Sequence, residues 1–244
     1  MGGYLAKDIQ WKKFDAEWKA LLHSEGIRSA HGKDLLQGKK QFEGWSRQRR
    51  DGFVLKAHKI ITNNLELGLT AIIRQDDYDS LYKGQPNPDK LREDTKYGIL
   101  FRGCLLLVEL AVTGNKVPPK DVALNIVMEG GHKNSGDVSR LFNLAKKEHL
   151  PGCEHVLGIL TFGDKNSYGL QAADLLIYAA NRLERDDHST QPTNVETSPH
   201  ILLPGEPAGQ GFKEYRVPIT RKMLQDLQAD FLLPENQRKN MQSR

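Results

Sequence analysis

Three acids, Glu129, Asp164 and Asp174, are placed where an α/β chain can carry them to one edge of a sheet. Glu129 follows the apolar run Val122–Met128, and Asp164 follows His155–Phe162 after a glycine. Ligands of open α/β sheets collect beyond the carboxyl ends of the strands, where both acids fall. Asp174 lies about two to three helical turns further on, within Ser167–Tyr178, a helical pattern rich in Ala and Leu. A carboxylate among such residues costs several kcal/mol if it is buried without a partner. Asp174 therefore either sits on an exposed stripe or meets a metal ion or a second acid. Carboxylates gathered in one place repel unless a divalent cation neutralises them, and hard oxygen ligands suit Mg²⁺ or Mn²⁺. A pair of such ions about 3.5–4 Å apart can activate water and stabilise the leaving oxygen of a phosphodiester.

Donors lie beside these acids. In Gly130-Gly131-His132-Lys133-Asn134 the glycines permit close backbone approach, while His132 can move a proton. Lys133 and Lys165 are placed to steady phosphate. His31 and Asp34 bracket a glycine in a loop and either reach the same site or are merely solvated. The net charge of +4 is unevenly distributed. Eight Lys and Arg between His31 and Lys59, with Arg47, Arg49 and Arg50 among them, face three acids there, for +5 in that segment and −1 elsewhere. Clustered positive charge holds a polyphosphate backbone through counterion release, or forms a solvated basic face.

Other chemistries lack support. The chain carries no Gly-x-Ser-x-Gly elbow, His-Glu-x-x-His pair, P-loop or dinucleotide fingerprint. Cys104 and Cys153 have no local partner spacing, which argues against a disulfide scaffold or a cysteine zinc site. No apolar run approaches the roughly 20 residues that span a bilayer. Met1–Ala6 resembles no signal peptide, so a cytoplasmic protein independent of membranes is expected.

The elements that must position these residues follow from periodicity. Asp8 is a candidate N-cap for a helix bearing Trp11, Phe14, Trp18, Leu21 and Leu22, which Gly26 closes. A polar loop is expected through Gly38, a helix over Trp45–Asn64, a strand over Leu67–Arg74, then an acidic, Pro-rich loop. Helices are predicted over Asp94–Val112, Asp137–Lys147 and Ile219–Leu233. Val122–Met128 reads as a strand buried on both faces. The order strand–helix–strand–helix argues for an α/β fold with partly parallel strands. Three regions result: an α/β domain over 1–185, a flexible Pro-rich excursion over 186–218, and a C-terminal helix and tail over 219–244. That helix could dock a second copy or another protein.

Several blocks resemble the bacterial and phage family catalogued as domain of unknown function 3800, whose members look like RNase H-like nucleases. They are Gly2–Ala6, Trp11/Phe14/Trp18, the His31/Asp34 loop, Phe42-Glu43-Gly44-Trp45, Asp164-Lys165 and Leu170–Leu176, over about Gly2 to Arg185. The resemblance implies an RNase H-like mixed sheet flanked by helices and a Mg²⁺- or Mn²⁺-dependent nuclease acting on DNA or RNA. Asp174 matches the family's late helix acid and Glu129 the acid ending a middle strand. The family usually opens with a strand bearing Asp-Glu-Ser-Gly, whose Asp is the expected first metal ligand. This chain opens at what reads as the following strand, so the first strand is missing as written and is expected upstream. The alternative is a catalytically impaired member that binds nucleic acid or a protein partner, or serves as a structural subunit of a phage or defence assembly.

Overall fold

The amphipathic spacing of Trp11, Phe14, Trp18, Leu21 and Leu22 produces α1 (Asp8–Ser24), which buries Phe14 and Trp18 completely. The N-cap is Lys7, with Asp8 in the first turn, and Gly26 (φ +71°) follows the helix. Residues 1–86, 93–113, 123–147, 156–187 and 213–232 are described in this computed structural model.

After α1 come α2 (Gly32–Gln37), a 3₁₀ turn at Lys40–Phe42, and α3 (Arg47–Asn64), whose N-cap Ser46 accepts the Arg49 N–H. Phe42, Phe53, Ala57 and Ile61 join Phe14 and Trp18 in one aromatic-rich core, and Trp45 packs edge-on to Phe42. Trp11, Phe14, Trp18, Phe42 and Trp45 thus carry packing.

Two sheets form among the described residues. β1 (Gly2–Leu5) pairs antiparallel with β2 (Leu67–Ile73), which pairs in parallel with β5 (Lys213–Ile219). β3 (Leu124–Glu129) and β4 (Leu157–Gly163) form a separate parallel pair. Between them run α4 (Gln75–Leu81), α5 (Lys96–Thr113), α6 (Ser135–Lys147), α7 (Tyr168–Asp187) and α8 (Arg221–Leu232). The chain is mixed α/β, with both parallel and antiparallel pairs. No described helix is long and apolar enough to cross a membrane.

Several sequence expectations change. The loop through Gly38 contains α2, because the Asp174 carboxylate accepts the first helical N–H and Gly38 in the left-handed region closes the helix. The acidic stretch after β2 is helical: Asp76 and Asp77 occupy the first turn of α4, where negative charge suits the helix dipole. Lys213–Ile219, expected within the flexible excursion, is a strand of the first sheet; Tyr215, Val217 and Ile219 alternate toward the core. β3 is not buried on both faces: Leu124, Ile126 and Met128 pack into the core while Asn125, Val127 and Glu129 are exposed, α7 reaching that side only near Gly163 at Leu170. The helix expected as a docking surface packs Leu224 against Tyr78, Tyr82 and Ile99, so this face is covered by its own chain. The rest of the excursion, the tail after Leu232 and Cys153 lie outside the described residues.

Candidate functional site

α7 places its polar residues on one side that meets α1, α2 and the loop between them. Gln171 is fully buried. Its Oε1 accepts the Trp18 Nε1–H (3.2 Å) and the Ala30 N–H (2.9 Å), and its Nε2–H donates to the Asn166 carbonyl (2.6 Å). Gln171 therefore ties the start of α7 to α1 and to the chain entering α2, which is a structural duty. One turn later Asp174 stands at the rim, its side chain 45% exposed. Its Oδ2 accepts the Gly32 N–H at 2.8 Å, and His31 Nδ1 lies 3.7 Å away. A β-carbon on Gly32 would come within 2.8 Å of the Tyr178 Cβ, so glycine is what lets α2 approach α7 this closely. Asp174 is thus neither deeply buried nor idle.

Asp34 has a different hydrogen-bond partner from Asp174, although His31 acts on both carboxylates. Its oxygen accepts from Lys40 Nζ at 2.8 Å, and that ammonium holds the Asp34 carboxyl below the usual carboxylate range.

The second group of residues surrounds the carboxyl ends of β3 and β4. Glu129 ends β3 and is exposed; its register partner is Gly163, so Asp164 follows immediately on the neighbouring strand. Gly130 N–H donates to the Gly163 carbonyl, prolonging the ladder, and Gly131 turns the chain at φ +82°. His132 stacks on Tyr97 with ring centroids 4.0 Å apart, and its Nδ1 accepts the Asn134 N–H. That bond leaves the proton of the neutral ring on Nε2. Asp164 Oδ1 accepts the Asn166 N–H (2.7 Å) and its carbonyl accepts the Ser167 N–H, so this acid shapes the turn into α7. Lys133 and Lys165 are exposed.

Tyr97 was not anticipated from sequence. Burial pushes its phenol up from its ordinary pKa, and the charges of Glu129 and then Cys104 add to the shift. Cys104 is pushed up to about 11 by burial, with the Met1 amino group opposing. Met1, Tyr97 and Met128 pack against one apolar cluster, so the chain start, the Tyr97 phenol and the end of β3 share that side of the core. Over the amino end of β1 lies α7: a β-carbon on Gly2 would touch Ile177 Cγ1 at 3.3 Å, less than one turn beyond Asp174.

Half of the eight cations in the basic segment have acidic partners: Lys40, Arg47, Arg49 and Lys56. Glu25, outside the stretch counted from sequence, accepts from Lys56 (2.7 Å) and Arg49 (3.4 Å), and these two cations hold its carboxyl low. The Arg49 guanidinium also lies 3.8 Å over the Trp45 ring. Arg47 approaches Asp51 at 3.7 Å, and Arg50 Nη1 donates to the Trp45 carbonyl. Lys33, Lys39 and Lys59 remain exposed.

No family model, curated protein or solved structure matches this chain.

Chemically, the described residues offer an exposed acid at the end of β3, a half-exposed acid on α7, an imidazole stacked on a phenol, and exposed lysines at Lys133 and Lys165. They do not complete a metal site. No group of three or more His, Cys, Asp or Glu side chains able to hold a metal ion occurs among the described residues. The most heavily bonded carboxylates lie elsewhere. Asp137 is buried and accepts from Thr95 N–H and Oγ1–H (each 2.8 Å) and from Arg140 (2.6 Å). Asp94 accepts from Arg102 (2.6 Å) and Arg140. This network pins the start of α5 to α6. Nothing in the local sequence marked it, since its members are spread from Asp94 to Arg140.

Proposed function

We propose that this protein is an RNase H-like nuclease acting on DNA or RNA. In this reading Glu129 and Asp174 supply two carboxylates of a Mg²⁺ or Mn²⁺ site that the described residues leave incomplete. The observation that carries the reading is an exposed acid at the end of β3 and a half-exposed acid on α7, a helix that packs on β1 and also reaches β3. Bound there, the ion would supply charge neutralisation and an activated water. Lys133 and Lys165 would hold phosphate, and His132, fixed by Tyr97 and Asn134, would exchange a proton at Nε2. Labelled DNA and RNA, incubated with the protein and Mg²⁺, Mn²⁺ or EDTA, provide the test. Metal-dependent cleavage that falls at least about 100-fold in Glu129→Gln and Asp174→Asn is expected; Asn keeps an acceptor for the Gly32 N–H. Cleavage insensitive to EDTA, or undiminished in both variants, refutes the reading.

The incomplete ligand set favours a second reading, a non-cleaving member that binds nucleic acid or a protein partner. It requires affinity that weakens as salt rises, with no turnover in Mg²⁺ or Mn²⁺.

A further inference from the structure

The turn that follows β3 presents a ring that is held but not covered. Tyr97, partly buried against the cluster of Phe101, Leu141 and Phe142, stacks on His132 with centroids 4.0 Å apart and 19° between the ring planes. The Asn134 N–H donates to Nδ1 and occupies that edge of the imidazole. His132 is nonetheless exposed. With Tyr97 on one face and Asn134 on the Nδ1 edge, what it shows to solvent is the opposite face and the Nε2 edge. A ring already fixed in this way loses little freedom when a ligand stacks on it.

A second ring lies across the ladder. Phe162 is the register partner of Met128 and is 41% exposed, where phenylalanine is more often buried. Its Cβ is 3.7 Å from where a Gly130 β-carbon would stand, so it borders the Gly130-Gly131 turn that leads to His132. Lys133 follows His132, and Lys165 comes two residues after β4; both are exposed. Because β3 and β4 are parallel, these rings and ammonium groups gather at the carboxyl end of one strand pair. The combination suits a flexible polyanion whose aromatic faces are free: rings take bases and ammonium groups take phosphates. In a duplex those faces are already stacked on one another, whereas an unpaired strand offers them.

We propose that His132, backed by Tyr97, and Phe162 form a stacking site for unpaired nucleobases, so that the protein takes single-stranded rather than duplex nucleic acid. The proposal rests on the nuclease reading for nucleic acid being the ligand, and it names the form of that ligand. Stacking uses the open face of His132 and proton exchange its Nε2 edge, so substitution separates the two roles. Glu129, exposed in the same turn region, repels phosphate when no cation is bound. Binding measured without metal therefore works against that charge, and Glu129→Gln should tighten it.

Fluorescence anisotropy in EDTA, with labelled single strands of DNA and RNA about 12 nucleotides long, reads binding without cleavage. Relaxed closed-circular duplex has no terminal base to offer, and should need at least about tenfold more nucleotide than unlabelled single strand to compete. His132→Ala and Phe162→Ala should each weaken single-strand binding about 5- to 150-fold, the range of one base–aromatic stack. His132→Phe keeps a ring and should bind within about threefold of the unaltered protein, while losing the proton-exchanging nitrogen. Equal competition by the duplex, or unchanged affinity in His132→Ala or Phe162→Ala, overturns the proposal. Cleavage is read separately on the same strands with Mg²⁺ or Mn²⁺. Ring-dependent binding without metal-dependent cleavage upholds the stacking site and refutes the nuclease; cleavage with binding indifferent to the rings does the reverse. Failure to bind any nucleic acid refutes both.

Discussion

Gln171 and Glu129 are both polar residues next to apolar runs, yet their surroundings differ completely. Gln171 is enclosed, and every hydrogen-bonding direction it uses reaches a different segment: Trp18, Ala30 and Asn166. Glu129 ends its strand in solvent, and its charge acts on the Tyr97 phenol. The first arrangement holds the molecule together; the second leaves a charge available. Asp174 stands between them, half exposed and committed to one backbone N–H. A polar residue in an apolar helix is therefore weak evidence of chemistry until its partners are known.

That contrast predicts a graded series. Gln171→Leu leaves the Trp18 and Ala30 N–H groups buried without an acceptor, and should lower unfolding free energy by about 3–5 kcal/mol. Urea denaturation followed by Trp fluorescence measures it, and a loss below about 1 kcal/mol would place Gln171 in the same class as Glu129.

Asp137 supplies a carboxylate with a full set of partners against which the free one can be judged. Burial pushes its carboxyl up, but Arg140 and the Thr95 donors outweigh this and hold it below the ordinary range. A depressed native pKa means stability that is present above the unfolded value and is lost as pH falls through the native one. Asp137 should therefore contribute stability at neutral pH that disappears below about pH 4. In Asp137→Asn the stability–pH curve should be shallower over that range; identical acid limbs in the two proteins would count against the network.

Gly32→Ala tests the close approach of α2 to α7. The added methyl meets Tyr178, and a cost of about 1–3 kcal/mol is expected from overpacking. An unchanged melting temperature would mean that α2 shifts freely, and with it His31 and the amide that engages Asp174. At the bottom of the series, Glu129→Gln should change stability by less than about 0.5 kcal/mol, as for exposed positions without partners. A large loss there would mean that Glu129 is a structural residue after all.

The elements built from local contacts were readable in the chain. The spacing of Trp11, Phe14, Trp18 and Leu22 predicts α1, and the β-rich run at Leu67 predicts β2, because each pattern lies within one segment. Elements whose cause lies far away were not. α2 depends on a carboxylate 142 residues further on, and β5 becomes a strand by pairing with β2, as in Leu67↔Lys213. The site follows the same rule. The acids could be named from their positions after apolar runs, but their partners could not. Asp164 proved to shape a turn, Asp34 to hold Lys40, and Glu25 to neutralise cations that looked free. Tyr97 beside Glu129 left no local trace, since 32 positions separate them.

The account rests on Glu129 and Asp174 belonging to one site. Titrating Mn²⁺ into the protein and following backbone amide signals by NMR tests this directly, because the paramagnetic ion broadens only its neighbours. Gly130, next to Glu129, and Gly32, bonded to Asp174, should broaden together over the same Mn²⁺ range, and Glu129→Gln should abolish both. Broadening of one amide without the other, or of neither, would contradict a shared site.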